Sequence, residues 1–127
     1  MSAEKLQEQI RAAAGRRAAL RIRGGGTKDF YGNALEGEVL DTRGNAGIVD
    51  YEPTELVVTA RCGTLLAELH EALLKQGQFL PFEPPGFGPG ATLGGCIAAG
   101  LSGPRRASAG SVRDYMLGAK IVDGLRE

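Results

Sequence analysis

From Pro84 to Asp114 the chain reads Pro-Pro-Gly-Phe-Gly-Pro-Gly-Ala-Thr-Leu-Gly-Gly-Cys-Ile-Ala-Ala-Gly-Leu-Ser-Gly-Pro-Arg-Arg-Ala-Ser-Ala-Gly-Ser-Val-Arg-Asp. No other stretch restricts the possible folds as strongly. It offers little side chain to fill a core, and its glycines let backbone come close to another body or adopt φ > 0. Such a run is either a flexible linker or a backbone cradle. A linker is low in complexity and rich in Ser or Glu. This run is ordered instead: a proline-stiffened lead-in, then Thr92-Leu93-Gly94-Gly95, a short apolar turn Cys96–Ala99, Ser102-Gly103, and the polar exit Gly110-Ser111-Val112-Arg113-Asp114. That order favours the cradle.

The rest of the chain has to supply what the cradle lacks. At 127 residues and 43% apolar it has the size of one domain with a core, which argues against disorder. Fifteen basic and 15 acidic side chains cancel, so there is no electrostatic case for nucleic acid or an anionic membrane. Cys62, Cys96 and the single histidine, His70, form no zinc motif. Free thiols fit a reducing cytoplasm. The N-terminal residues carry charge early and lack an apolar signal core, and no apolar run approaches a membrane span. A cytoplasmic protein without metal or direct membrane insertion is expected.

Before the cradle, the pattern alternates between helix and strand. Ser2 can cap a helix to about Ala14, with Leu6, Ile10 and Ala13 on one stripe and Gly15 as its stop. Ala18–Arg23 reads as a strand that delivers the chain into Gly24-Gly25-Gly26-Thr27. Glu38–Thr42 is a further strand, followed by a turn at Gly44-Asn45. Gly47–Glu52 and Glu55–Cys62 read as paired strands around Pro53-Thr54. Thr64 can cap a helix through about Gln76, with Leu65, Leu66, Leu69, Ala72 and Leu73 on a broad apolar face and Gly77 ending it. His70 flanks that face and reads as solvated. Gln78–Phe82 leads into the cradle. Leu93–Gly100 can form a short helix whose N-terminal amides face a ligand, and Met116–Asp123 gives a closing strand.

Two glycine segments therefore follow strands. Three successive glycines in Arg23–Thr27 allow consecutive N–H groups to point one way, and such a nest holds phosphate without a cationic side chain. Triple-glycine turns also occur as plain loops, so this segment alone does not decide. It is neither the Rossmann fingerprint, which needs a third glycine at fixed spacing, nor a P-loop, which needs Gly-Lys-Ser/Thr. A Cβ at Gly25 or Gly94 is expected to block φ > 0 and the approach of phosphate. Thr92 and Ser111 can donate hydroxyls, and Ala98, Ala99 and Ser102 are small enough for a flat ring to come close. Arg113 and Asp114 fit either a ligand role or a local ion pair or turn cap.

Thr92–Gly95, Ser102-Gly103 and Gly110–Asp114 resemble the second flavin-contacting loop of FAD-binding domains of the vanillyl-alcohol-oxidase or PCMH type. Arg23–Thr27 resembles that family's first pyrophosphate loop. The two stand in the family's order, about 65 residues apart, and the likeness runs from about Leu20 to Gly124. It implies an α+β, two-lobed domain, incomplete at its C-terminal end, with a first lobe over about 1–52 and the start of a second over about 53–127. The FAD contacts it implies are Arg23, Gly24, Gly25, Gly26, Thr27, Gly90, Ala91, Thr92, Gly94, Gly95, Ala99, Gly100, Leu101, Ser102, Gly110 and Ser111. Many members bind flavin covalently through a His in the first loop. Thr27 or Lys28 stands there in this chain, so bound FAD is expected to be non-covalent. The wording is nearest to the glycolate-oxidising members, which implies oxidation of a 2-hydroxy acid such as glycolate and transfer of electrons to another subunit of an oxidase complex. A catalytic acid or base is not identifiable in the sequence. Two other readings stay open: a non-catalytic or truncated subunit acting only through packing or self-association, and an unrelated α+β module with structural glycine loops.

Overall fold

The computed structural model describes residues 3–27, 29, 36–81, 89–100 and 110–123. Helix α1 spans Ala3–Arg16 and buries Leu6 and Ala13. Ile10 on the same stripe is half-buried, and Ser2 lies outside the described residues. The helix runs through Gly15, its expected stop. The left-handed residue is Arg17, at φ 54. Ala18 N–H donates to the Ala13 carbonyl at 2.9 Å and Arg17 N–H to Ala14 at 3.1 Å, the paired bonds of a Schellman closure. That closure, not the position of the glycine, sets the end.

The chain then enters β1 (Leu20–Arg23), which pairs in parallel with β2 (Glu38–Asp41). Leu40 is buried beneath this ladder. Arg16 grips Glu38 through both guanidinium nitrogens, at 3.0 and 3.1 Å, joining the end of α1 to the start of β2. Thr42 N–H continues the parallel pattern by donating to the Arg23 carbonyl at 3.0 Å. The next turn closes with Asn45 N–H on the Thr42 carbonyl at 3.1 Å, at the expected Gly44-Asn45.

Strands β3 (Ile48–Glu52) and β4 (Val57–Ala60) form the antiparallel hairpin that the Pro53-Thr54 signal predicts. A 3-10 turn over Pro53–Glu55 and a left-handed Leu56 join them. Their ladder crosses residues 52 and 53, where the lobe boundary is expected. The Tyr51 hydroxyl bonds Gln78 Oε1, and Gln78 Nε2 donates to the Pro53 carbonyl at 2.8 Å. The hairpin tip is thereby fastened to the exit of α2 (Leu66–Leu74).

Helix α2 buries Leu66, Leu69 and Leu73. It closes as expected at Gly77, φ +68, with Gln78 N–H on the Leu73 carbonyl and Gly77 N–H on Leu74. His70 is exposed, as its position beside the stripe predicts. The start of the helix differs from expectation. Leu65 is the N-cap residue and makes no side-chain capping bond. Thr64 is fully buried, and its hydroxyl is committed elsewhere.

Helix α3 (Leu93–Ala99) has Thr92 as N-cap and Gly100, at φ 65, as left-handed C-cap. A 3-10 turn covers Val112–Tyr115. The main buried cluster joins Leu66 to Ala91, Cys96 and Val112. Three of these four come from the glycine-rich stretch, so that stretch contributes more to the core than its composition suggests. Met116–Asp123 forms no strand. A strand needs a ladder partner, and no described strand pairs with this run, which leaves Leu117 and Ile121 each 82% exposed.

Candidate functional site

The two glycine segments meet. A Cβ added to Gly25 would overlap the Gly90 carbonyl, and one added to Gly24 would lie 2.5 Å from Thr92 Oγ1. From the other side, a Cβ on Gly90 would come within 3.9 Å of Thr27 Cγ2. Backbone thus abuts backbone where β1 releases the first loop and where the chain turns into α3. Only residues without side chains can share that space. The reason differs from the one expected: neither Gly25 nor Gly94 has positive φ, and Gly26 is the left-handed residue of the first loop, at φ 70.

The first loop folds over its own arginine. A Cβ on Gly26 would strike the Arg23 guanidinium. Arg23 Nε and Nη2 donate to Asp29 Oδ2 at 3.2 and 2.9 Å. That hydrogen bonding holds the Asp29 carboxyl below its ordinary range. Arg23 is therefore a shared charge at the base of the loop. Lys28 lies outside the described residues.

Among the described residues, the N–H groups of Gly24, Gly25, Gly26 and Thr27 have no protein acceptor, and neither do those of Gly90, Ala91 and Thr92. Ala91 and Thr92 are buried. Gly24–Thr27 and Gly90 are partly exposed. An unpaired buried amide costs about 1–3 kcal/mol, so the two buried ones at Ala91 and Thr92 favour an acceptor from outside. Oxygen atoms of a diphosphate have the required chemistry, and their charge suits a row of N–H dipoles.

The first turn of α3 behaves in the opposite way. Leu93 N–H donates to the Thr64 carbonyl, Gly94 N–H to Cys62, and Gly95 N–H to Thr92 Oγ1 at 3.2 Å. The expectation that these amides face a ligand fails, because protein acceptors take all three. Gly94 is small for an internal reason, since a Cβ there would lie 2.8 Å from that of Cys62. Gly100 is the cap of α3, and Gly110 holds φ 94 beside Asp114. Ser111 N–H and Oγ both reach Asp114 Oδ2, at 2.8 and 3.1 Å, so of the two roles open to Asp114 the structure displays the turn cap. Val112 draws this exit into the same buried cluster as Ala91. Ala99 is half-buried at the end of α3, while Leu101 and Ser102 lie outside the described residues.

Residues 1–125 match the family described as FAD binding domain. The chain belongs to that family. FAD is accordingly the cofactor of this domain, and the row of unpaired amides fits its diphosphate. The chain is 49% identical over 121 residues to glycolate oxidase subunit GlcE of Escherichia coli (strain K12), covering 95% of this chain and 35% of that protein. It is 33% identical over 104 residues to a mitochondrial D-lactate dehydrogenase (cytochrome) of Arabidopsis thaliana, covering 72% of this chain and 18% of the relative. Among solved structures, two crystal forms of alkyldihydroxyacetonephosphate synthase share the α+β fold. Their TM-scores are 0.67 and 0.70 at 24% and 22% identity, over 89% and 91% of this chain and 22% of each of theirs. The FAD-binding domain thus spans about a third of the length of the glycolate oxidase subunit it matches. Among the described residues, no helix is long and apolar enough to cross a membrane, and no group of side chains could hold a metal.

Sequence reasoning missed Cys62–Leu66 as part of the site. Thr64 carries the usual signal of an N-cap, a Thr just before an apolar helix, and nothing in the sequence separates that role from the buried one it has.

Proposed function

We propose that this domain holds FAD non-covalently, with the diphosphate on the amides of Gly24–Thr27 and Gly90–Thr92. The observation that carries the reading is this row of unpaired N–H groups at a junction too tight for side chains. Arg23, ion-paired to Asp29, stands at the base of the first loop. The remaining predicted contacts, Gly94, Gly95, Ala99, Gly100, Leu101, Ser102, Gly110 and Ser111, would border the cofactor with small groups. Thr27 is a poor attachment point for flavin, which supports the non-covalent state.

The same proposal extends to the activity. Bound FAD supplies a ring that accepts electrons, and the full protein would oxidise a 2-hydroxy acid such as glycolate in the cytoplasm and pass electrons to another subunit. The likeness to a glycolate oxidase subunit and to D-lactate dehydrogenases supports that substrate class. Exposed Leu117 and Ile121 support a partner surface.

Titration of the 127-residue chain with FAD, read by flavin fluorescence, tests the site. Saturable binding is expected, with competition by ADP, which carries a diphosphate, and none by riboflavin, which carries no phosphate. Acid precipitation should leave the flavin in the supernatant. Competition by riboflavin alone, or flavin that stays with the pellet, overturns the reading. Anaerobic bleaching of the full-length flavoprotein by glycolate tests the substrate class.

A further inference from the structure

The segment Cys62–Leu66 is hydrogen-bonded directly to the second cofactor loop and is linked to the first through the turn that follows β2. On one side it grips the second loop: Gly94 N–H donates to the Cys62 carbonyl and Leu93 N–H to Thr64, both at 2.8 Å, and Leu66 N–H donates to the Ala91 carbonyl at 2.9 Å. Leu65 and Thr92 form an isolated antiparallel bridge between these runs. On the other side it grips the turn that follows β2. Gly63 N–H donates to the Asn45 carbonyl at 2.8 Å, and a Cβ on Gly63 would strike the Thr42 carbonyl. Thr42 in turn donates to the carbonyl of Arg23, the residue that opens the first loop.

At the centre of this segment stands Thr64, with 0% of its surface exposed. Its Oγ1 accepts from Gly47 N–H at 2.9 Å and donates to the Gly47 carbonyl at 3.1 Å. Both capacities of the hydroxyl go to a single glycine at the start of β3. Arg61 N–H meets the same Gly47 carbonyl at 2.9 Å.

We propose that Cys62–Leu66 is a post that sets the distance between the two FAD loops, and that Thr64 is its positioning residue. Thr64 is not among the residues proposed to hold FAD. It acts by locking the post to Gly47 while its own carbonyl holds Leu93. The inference rests on the FAD-binding reading, and one arm of its test is independent of FAD. Thr64→Val keeps the shape and removes the hydroxyl, leaving the half-buried N–H of Gly47 without its partner. Thr64→Ser keeps the hydroxyl and drops a methyl.

Hydrogen exchange on the cofactor-free 127-residue chain is the independent arm. Thr64→Val should exchange faster than wild type at Leu93 and Gly94, while α1 keeps its wild-type rate. Thr64→Ser should restore the slow exchange. In FAD titration, Thr64→Val should bind about tenfold more weakly, a change of about 1.4 kcal/mol, and Thr64→Ser should recover. Wild-type exchange at Leu93 and Gly94 in Thr64→Val overturns the post, whatever FAD does. So does exchange that rises uniformly, α1 included, because that is loss of global stability. If wild type itself fails to bind FAD, the proposed function falls and the exchange result alone decides the post.

Discussion

Gly25 illustrates how one hydrogen atom in place of a side chain can serve two ends. Its Cα faces the Gly90 carbonyl so closely that even a methyl group has nowhere to go. Gly25→Ala should therefore lower stability by about 1–3 kcal/mol, as overpacking does. It should also weaken FAD binding, because the loops must part to admit the methyl. Urea denaturation read beside FAD titration separates the two effects. A variant with wild-type stability and affinity would show that the loops do not touch in solution. Glycine's importance here was legible in the sequence, while its physical reason was not. Composition announces a close approach but leaves unsaid whether the approaching body is a ligand or another piece of chain. At Gly25 and Gly94 the body is chain: the Gly90 carbonyl in one case and Cys62 in the other.

Among the elements, the best-read were those with strong local signals. The α2 stripe with Gly77 behind it, the hairpin around Pro53-Thr54 and the short helix after Thr92 all formed where their residues predicted. Misreadings arose where two local rules competed. Gly15 looked like a stop, yet α1 continues to Arg16 and closes over a left-handed Arg17. The mismatch can be tested by redesign. Gly15 sits in a helix with nothing within 4 Å of an added Cβ, so Gly15→Ala should gain about 0.5–1 kcal/mol. Arg17→Gly should also stabilise, since a left-handed non-glycine residue carries a steric cost of about 1–2 kcal/mol. Thermal melts of the two variants and of the double variant should show increments of one sign. A fall in melting temperature for either would show that α1 ends elsewhere in solution. The closing strand over Met116–Asp123 was misread for another reason. Apolar and β-branched residues describe a run willing to pair, but pairing depends on a neighbour that sequence pattern does not name.

Taken whole, the molecule consists of two small ladders, one parallel and one antiparallel, each with two strands among the described residues. Ladders that narrow leave edges open, and exposed edges beside apolar side chains associate. Leu117 and Ile121, both 82% exposed, and Ile22 at 73% make such surface here. Sedimentation of the 127-residue chain should show mass rising with concentration, and Leu117→Lys with Ile121→Lys should reduce it. Invariant monomer mass across the range would mean that these residues are tolerated in water. The meeting of Gly25 with Gly90 also bears on time. Glu52 pairs with Val57 across the hairpin, but the two FAD loops lie about 65 residues apart in the chain. Closing so long a span carries a larger entropic cost than closing the hairpin. At roughly 5–20 residues per second of synthesis, the first loop waits several seconds before its counterpart has been made. Through that interval the nascent chain carries the first glycine loop alone, and the proposed diphosphate site is complete only once the ribosome has passed Thr92.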